Sequence, residues 1–241
     1  MWTRRDLKSR ARSVLKLSYW RAFLVSLVIA FAQGSLGGSS RYEYHAHNPG
    51  DQFTELIPYL PLIISAAALV ILLVLALRIF LGYPLEVGGR RYFVRSIGQK
   101  FDLNALGFAF NKARYLDIIL AMLWRSFINF LWYLLLIIPG IIKFYSYRLV
   151  PYILADNPNI GYRRALELSA RMTHGHKWAW FVLDLSFLGW YLLGLLAFVI
   201  GTLFVLPYQN ATNAELYAVL RQNAIAANLT SQEELGLDNL P

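Results

Sequence analysis

Cysteine is absent from the chain. Disulfide bonds, cysteine-ligated metals and thiol chemistry are therefore excluded. Charge is scarce as well: Asp, Glu, Lys and Arg make up 15% of the residues, against about 25% in a typical globular protein. Recurring catalytic signatures are missing too. No HExxH, GxSxG, GxGxxG or Walker pattern occurs. The pairs His45/His47 and His174/His176 lie in turn-rich segments without a full set of nearby ligands, so they read as solvated histidines rather than a metal site. No enzyme activity, cofactor or metal is expected.

What the chain does have is apolar sequence. Hydrophobic residues make up 57% of it, and runs approach the length needed to cross a bilayer. The expectation is an all-α polytopic membrane bundle of about six spans, with further amphipathic interfacial helices. Its divisions are a basic amphipathic helix over 1–18, a single transmembrane domain over 19–208, and a C-terminal helix with an acidic tail over 209–241. The formal net charge is +9. In a soluble protein that would suggest nucleic acid. Here the cations cluster between apolar runs, which points to topology and anionic lipid instead, with no nucleic-acid partner.

Taken in order, the N-terminal helix has an apolar stripe (Leu7, Ala11, Val14, Leu15) and a basic row (Arg4, Lys8, Arg12). Such a helix can lie in the headgroup layer with its cations toward anionic lipid, or simply set orientation. Tyr19–Gln33 is the first span, with no cleavage pattern before Gln33, and Leu62–Leu81 the second. The loop between them carries Arg41 and three acids and is expected outside. Gly82–Arg114 is the most basic connection and is expected to be cytoplasmic, with Gly88-Gly89 as a bend and a short interfacial helix over Phe101–Phe110. Asp156–Lys177 is a second basic connection, holding an amphipathic helix over Pro158–Thr173 capped by Asp156 or Asn157. Leu229–Pro241 reads as a frayed tail.

Four charged residues fall at or near membrane depth: Arg125, Lys143, Arg148 and Asp184. Arg125 must face the bundle or a wet cleft, or else mark a later start to its span; the later start, from Ser126, is the preferred reading. Pro139 and Gly140 interrupt an apolar stretch and are expected to form a hinge on the outer side, followed by a short returning helix. A second hinge is expected at Gly189, splitting Trp178–Pro207 into two short helices. Arg148 and Asp184 are the most interesting pair, although no spacing rule brings them together.

The segments LWYLLLIIPGIIKFYSY (Leu131–Tyr147), YILADNP (Tyr152–Pro158), GHKWAWFVLDLSFLGW (Gly175–Trp190) and LPYQNATNAELY (Leu206–Tyr217) resemble the hallmark segments of the DUF975 family of bacterial integral membrane proteins. The opening Arg4–Trp20 looks similar as well. The resemblance implies a location and an architecture, and it carries no catalytic residues with it. On these grounds the leading expectation is a membrane scaffold or accessory protein acting in envelope homeostasis. The alternative is a small transporter or channel subunit using Lys143, Arg148 and Asp184. The expected setting is the bacterial plasma membrane, with both termini cytoplasmic and a homo-oligomer or another membrane protein as possible partners.

Overall fold

The computed structural model describes residues 2–33, 59–196 and 200–237, and among these every regular element is helical. In chain order they are α1 (Arg4–Ala32), α2 (Leu60–Leu77), a single π-helical turn (Arg78–Gly82), α3 (Tyr83–Ile97), a 3-10 helix (Leu103–Phe110), α4 (Lys112–Leu135), α5 (Ile137–Ser146), α6 (Val150–Asp156), α7 (Tyr162–Met172), α8 (Lys177–Leu196) and α9 (Ile200–Ala226). Among the described residues, four helical stretches are long and apolar enough to cross a membrane: Arg4–Ala32, Leu60–Ile97, Lys112–Leu135 and Lys177–Leu195. These are the candidate spans, and the expected count of about six is not confirmed. The loop around Arg41, with His45 and His47, lies outside the described residues.

α1 begins at an N-cap, where the Thr3 hydroxyl accepts from the Asp6 amide. It is bent at Ser18, whose backbone leaves the helical region at φ −151, ψ 41. The basic segment and the first apolar run are thus two limbs of one kinked helix. The apolar stripe of the first limb does not lie against lipid. Leu7 and Ala11 are fully buried, Leu15 nearly so, and all three belong to the protein core. Of the basic row, Arg4 and Arg12 are exposed. Lys8 is drawn inward: its ammonium donates to the Ser186 carbonyl and sits 4.3 Å from the Phe187 ring centroid on α8. Packing against protein won over the interfacial reading because α8 and α9 offer that stripe a dry surface.

The helix from Leu60 to Ile97 is continuous apart from the π-turn. This corrects the reading of Gly82–Arg114 as a connecting loop, since α3 is part of the bundle. α2 buries none of its side chains, as a helix whose apolar surface is left to lipid tails does. α3 buries Glu86, Val87, Gly88, Gly89, Tyr92 and Phe93. Gly88 and Gly89 do not bend the chain. They let it approach its neighbours, because a Cβ on Gly88 would run into the Leu106 carbonyl and one on Gly89 into the Ile29 side chain.

α4 and α5 form a helical hairpin. The break falls at Leu136, in extended conformation (φ −158, ψ 141), rather than at Pro139-Gly140. Pro139 sits in the first turn of α5, where a missing N–H costs nothing because those amides have no helical partner anyway. Gly140 is buried in the hairpin contact, and a Cβ there would lie 2.6 Å from the Tyr133 ring. Leu134 to Ile138 at the tip are among the most exposed apolar residues of the molecule.

α8 runs without interruption from Lys177 to Leu196, passing through Gly189, around which there is open space. The expected hinge at Gly189 is therefore corrected: a lone glycine weakens a helix without breaking it. α7 is capped by Gly161 at φ +83, with no side-chain cap, and Gly175 at φ +78 follows it. Asp156 and Asn157 are engaged elsewhere. The tail is not frayed over its described part. Leu235 is fully buried, and the Glu234 carboxylate binds Arg164 at 2.6 Å.

Candidate functional site

The helices converge on a polar cavity of about 330 Å³ enclosed by α1, α3, α4, α6 and α9. Its notable lining is four arginines (Arg78, Arg90, Arg125 and Arg148) around a single acid, Glu86.

Glu86 and Arg90 come from one face of α3, one helical turn apart, at 3.9 Å. Arg125, halfway along α4, reaches the same carboxylate at 3.7 Å. Gln33, at the end of α1, donates to Glu86 at 3.0 Å. Glu86 is 6% exposed and has one hydrogen-bond donor, Gln33, and two arginines around it. The two arginine contacts exceed hydrogen-bond length, so the cations surround the carboxylate without closing on it.

Arg90 is held from the other side. Its guanidinium donates to the Asn210 side-chain oxygen at 2.7 Å and to the Tyr152 hydroxyl at 3.2 Å. Asn210 in turn donates to Ser26 at 3.0 Å. The Arg90 Nε is buried and has no hydrogen-bond partner among the described residues. One more turn along α9, Asn213 accepts from the buried Trp180 indole at 3.1 Å.

Arg148 and Asp184, which no sequence spacing connects, meet as a two-pronged ion pair, with Nη2 to Oδ1 at 3.0 Å and a second, closer prong from Nη1 to Oδ2. The Tyr145 hydroxyl donates to the same carboxylate at 2.8 Å, and the guanidinium lies 4.7 Å from the Trp180 ring centroid. Asp184 thus approaches from behind, on α8, while Arg148 lines the cavity. Lys143 is elsewhere: it packs 4.9 Å from the Trp132 ring centroid on the α4–α5 hairpin and does not line the cavity.

Arg125 settles one of the sequence alternatives. It lies inside a continuous helix, and its side chain is 15% exposed. It faces the bundle and does not mark a boundary. The sequence reading missed Glu86, Arg90, Asn210 and Gln33 as site residues. Their signal was present in the Glu86–Arg90 spacing of four, but the basic surroundings made that segment read as a loop.

Arg78 is exposed at the edge of the cavity, and the other three guanidiniums face two carboxylates, counting Asp184, which leaves an excess of one positive charge in the withdrawn part of the polar space. Burying a charge without a counter-charge is strongly unfavourable, more so in a bilayer. Such a cavity is suited to hold a small anion with its water. Arginine forks match carboxylate and phosphate oxygens in geometry as well as charge. Among the described residues there is no cluster of three or more His, Cys, Asp or Glu able to hold a metal ion.

No curated protein and no solved structure matches the chain. Residues 134–224, from the tip of the α4–α5 hairpin to the last turn of α9, match the family described as "Protein of unknown function (DUF975)", so this part of the chain is similar to that family.

Proposed function

We propose that this is an integral protein of the bacterial plasma membrane that binds a small anion in the arginine-lined cavity of its bundle, as a transporter or channel subunit does. The observation that carries the reading is the convergence of the largely buried Arg90, Arg125 and Arg148, with the exposed Arg78 at the edge, on one polar space with a single lining carboxylate. Buried cations inside a membrane bundle mark solute or ion paths by default. The scaffold reading rested on basic amphipathic segments lying on lipid. It loses support because the apolar stripe of α1 is spent on the protein core. The chain is taken to be a binding protein rather than an enzyme, with both termini cytoplasmic and a second copy or another membrane protein as its partner.

The test is equilibrium binding to protein purified into neutral-lipid nanodiscs, with phosphate, sulfate and short-chain carboxylates as probes. Saturable binding of at least one probe is expected, weakened about tenfold or more in Arg125→Gln, the ratio that loss of one charge-assisted hydrogen bond gives. Absence of binding by the wild-type protein would refute the proposal.

A further inference from the structure

A second basic pocket, of about 390 Å³, lies apart from the cavity, between the C-terminal end of α3 and the C-terminal half of α9. Arg91, Arg95 and Arg221 line it, with Asp156 as the one acid and Val94 and Ala218 as apolar lining. Asp156 is already committed, receiving Arg221 at 2.7 Å and the Tyr217 hydroxyl at 2.6 Å. Arg91 is braced from outside: one nitrogen donates to the Ala155 carbonyl, and the guanidinium stacks 3.6 Å from the Phe108 ring centroid. Arg95 is half-buried, and its side chain makes no hydrogen bond or ion pair among the described residues. Gly98, Lys100 and Gln222 at the rim are exposed, so the pocket opens to the surface.

We infer that this pocket binds a phosphate group. Three guanidiniums converge there, and a guanidinium offers five donors in a planar fork. Arg91 and Arg221 each engage only one nitrogen in the contacts above, which leaves an array of donors of the kind that grips a tetrahedral oxyanion. One carboxylate, already paired with Arg221, does not neutralise three cations, and Arg91 and Arg95 repel one another. The apolar side formed by Val94 and Ala218 suits the ester portion of a phosphate-bearing molecule. The phosphate comes either from an anionic phospholipid, since basic pockets between membrane helices hold such headgroups, or from a soluble phosphate ester. The chemistry is common to both sources, and the experiment separates them.

The full-length protein is purified into nanodiscs of phosphatidylcholine, with and without phosphatidylglycerol. Bound lipid is counted by native mass spectrometry after release from the discs, and binding of inorganic phosphate and glycerol 3-phosphate is measured by titration in the phosphatidylcholine discs. Arg95→Gln is compared with wild type and with Arg125→Gln in the cavity. Arg95 has no partner to lose, so the variant should fold as wild type, and size-exclusion elution checks that it does. The expected result is one phosphatidylglycerol retained by wild type and Arg125→Gln but depleted about tenfold in Arg95→Gln (lipid source), or soluble phosphate bound with the same dependence (soluble source). The inference is overturned if wild type neither retains phosphatidylglycerol over phosphatidylcholine nor binds either soluble probe. It is also overturned if Arg95→Gln and wild type behave alike. Phosphate bound in the cavity is weakened by Arg125→Gln and phosphate bound in this pocket by Arg95→Gln, so the variant that loses binding assigns the site, and retention of phosphatidylglycerol tests this pocket apart from the cavity.

Discussion

At the scale of single residues, the most consequential contact is Arg148 with Asp184. Both side chains are largely withdrawn from solvent, at 17% and 22% exposure. A buried ion pair is weak evidence for stability, yet breaking one partner is costly because the other is left charged and unpaired. Asp184→Ala should therefore destabilise the protein by about 3–5 kcal/mol, measured by thermal unfolding in detergent. Replacing both partners with apolar residues, Arg148→Met with Asp184→Leu, should recover most of that loss. Equal destabilisation by the single and double variants would contradict the assignment. A second pair, Arg164 with Glu234, secures the tail at the surface. The hydrogen bond from Arg164 holds the Glu234 carboxyl below its ordinary range, and partial burial opposes this. The folded form therefore gains stability from this group above the ordinary glutamate pKa. That gain is lost as pH falls through the lowered one. Protection of the amides over Leu229–Leu237, relative to the intrinsic exchange rate, should hold at neutral pH and fall only as the pH drops below the ordinary glutamate range, whereas Glu234→Gln should be less protected throughout. Unchanged exchange in Glu234→Gln would remove the pair from the account.

Among the elements, the α4–α5 hairpin and α8 make opposite use of glycine. Gly140 lets α5 fold back onto the Tyr133 ring, with only 2.6 Å available for a Cβ. Gly140→Ala should cost about 1–3 kcal/mol, as overpacking does. Gly189 has open space around it in a continuous helix, so Gly189→Ala should be neutral or stabilise by about 0.5–1 kcal/mol. Paired unfolding measurements check both, and a destabilising Gly189→Ala would restore the hinge that the structure removes. These two glycines also show what could be read from the chain and what could not. Helical class, the reversal near residue 137 and the exposed surface of α2 all follow from local apolar patterning. The path of α3 does not. Arg90, Arg91 and Arg95 made that segment look like a loop, because charge counts alone cannot tell a guanidinium facing water from one facing a polar cavity. Nor could the stripe of Leu7 and Ala11 reveal whether lipid or α9 would cover it, since both offer a dry surface.

For the whole molecule, the contrast is between its outside and its middle. The outer surfaces of α2 and the hairpin tip are aliphatic, while the interior collects arginines, amides and tyrosine hydroxyls around a cavity. A soluble protein distributes these groups the other way round. The pattern fits a bundle whose solvent is lipid outside and water within. Arg148 and Asp184 were readable as interesting charges, but their meeting depends on how α5, α6 and α8 pack, and no local rule contains that. Arg125, Glu86 and Asn210 come together only through three separate helices, which is why the site as a unit was invisible in the sequence.

The central claim is that the excess positive charge of the cavity exists to hold an anion. Glu86 competes for the same arginines as that anion, whereas Arg125 attracts it. Anion affinity measured side by side for wild type, Glu86→Gln and Arg125→Gln in neutral-lipid nanodiscs tests this most directly. The account predicts shifts of opposite sign, each about tenfold or more: tighter binding in Glu86→Gln and weaker binding in Arg125→Gln. Affinities that move in the same direction, or do not move, would contradict it.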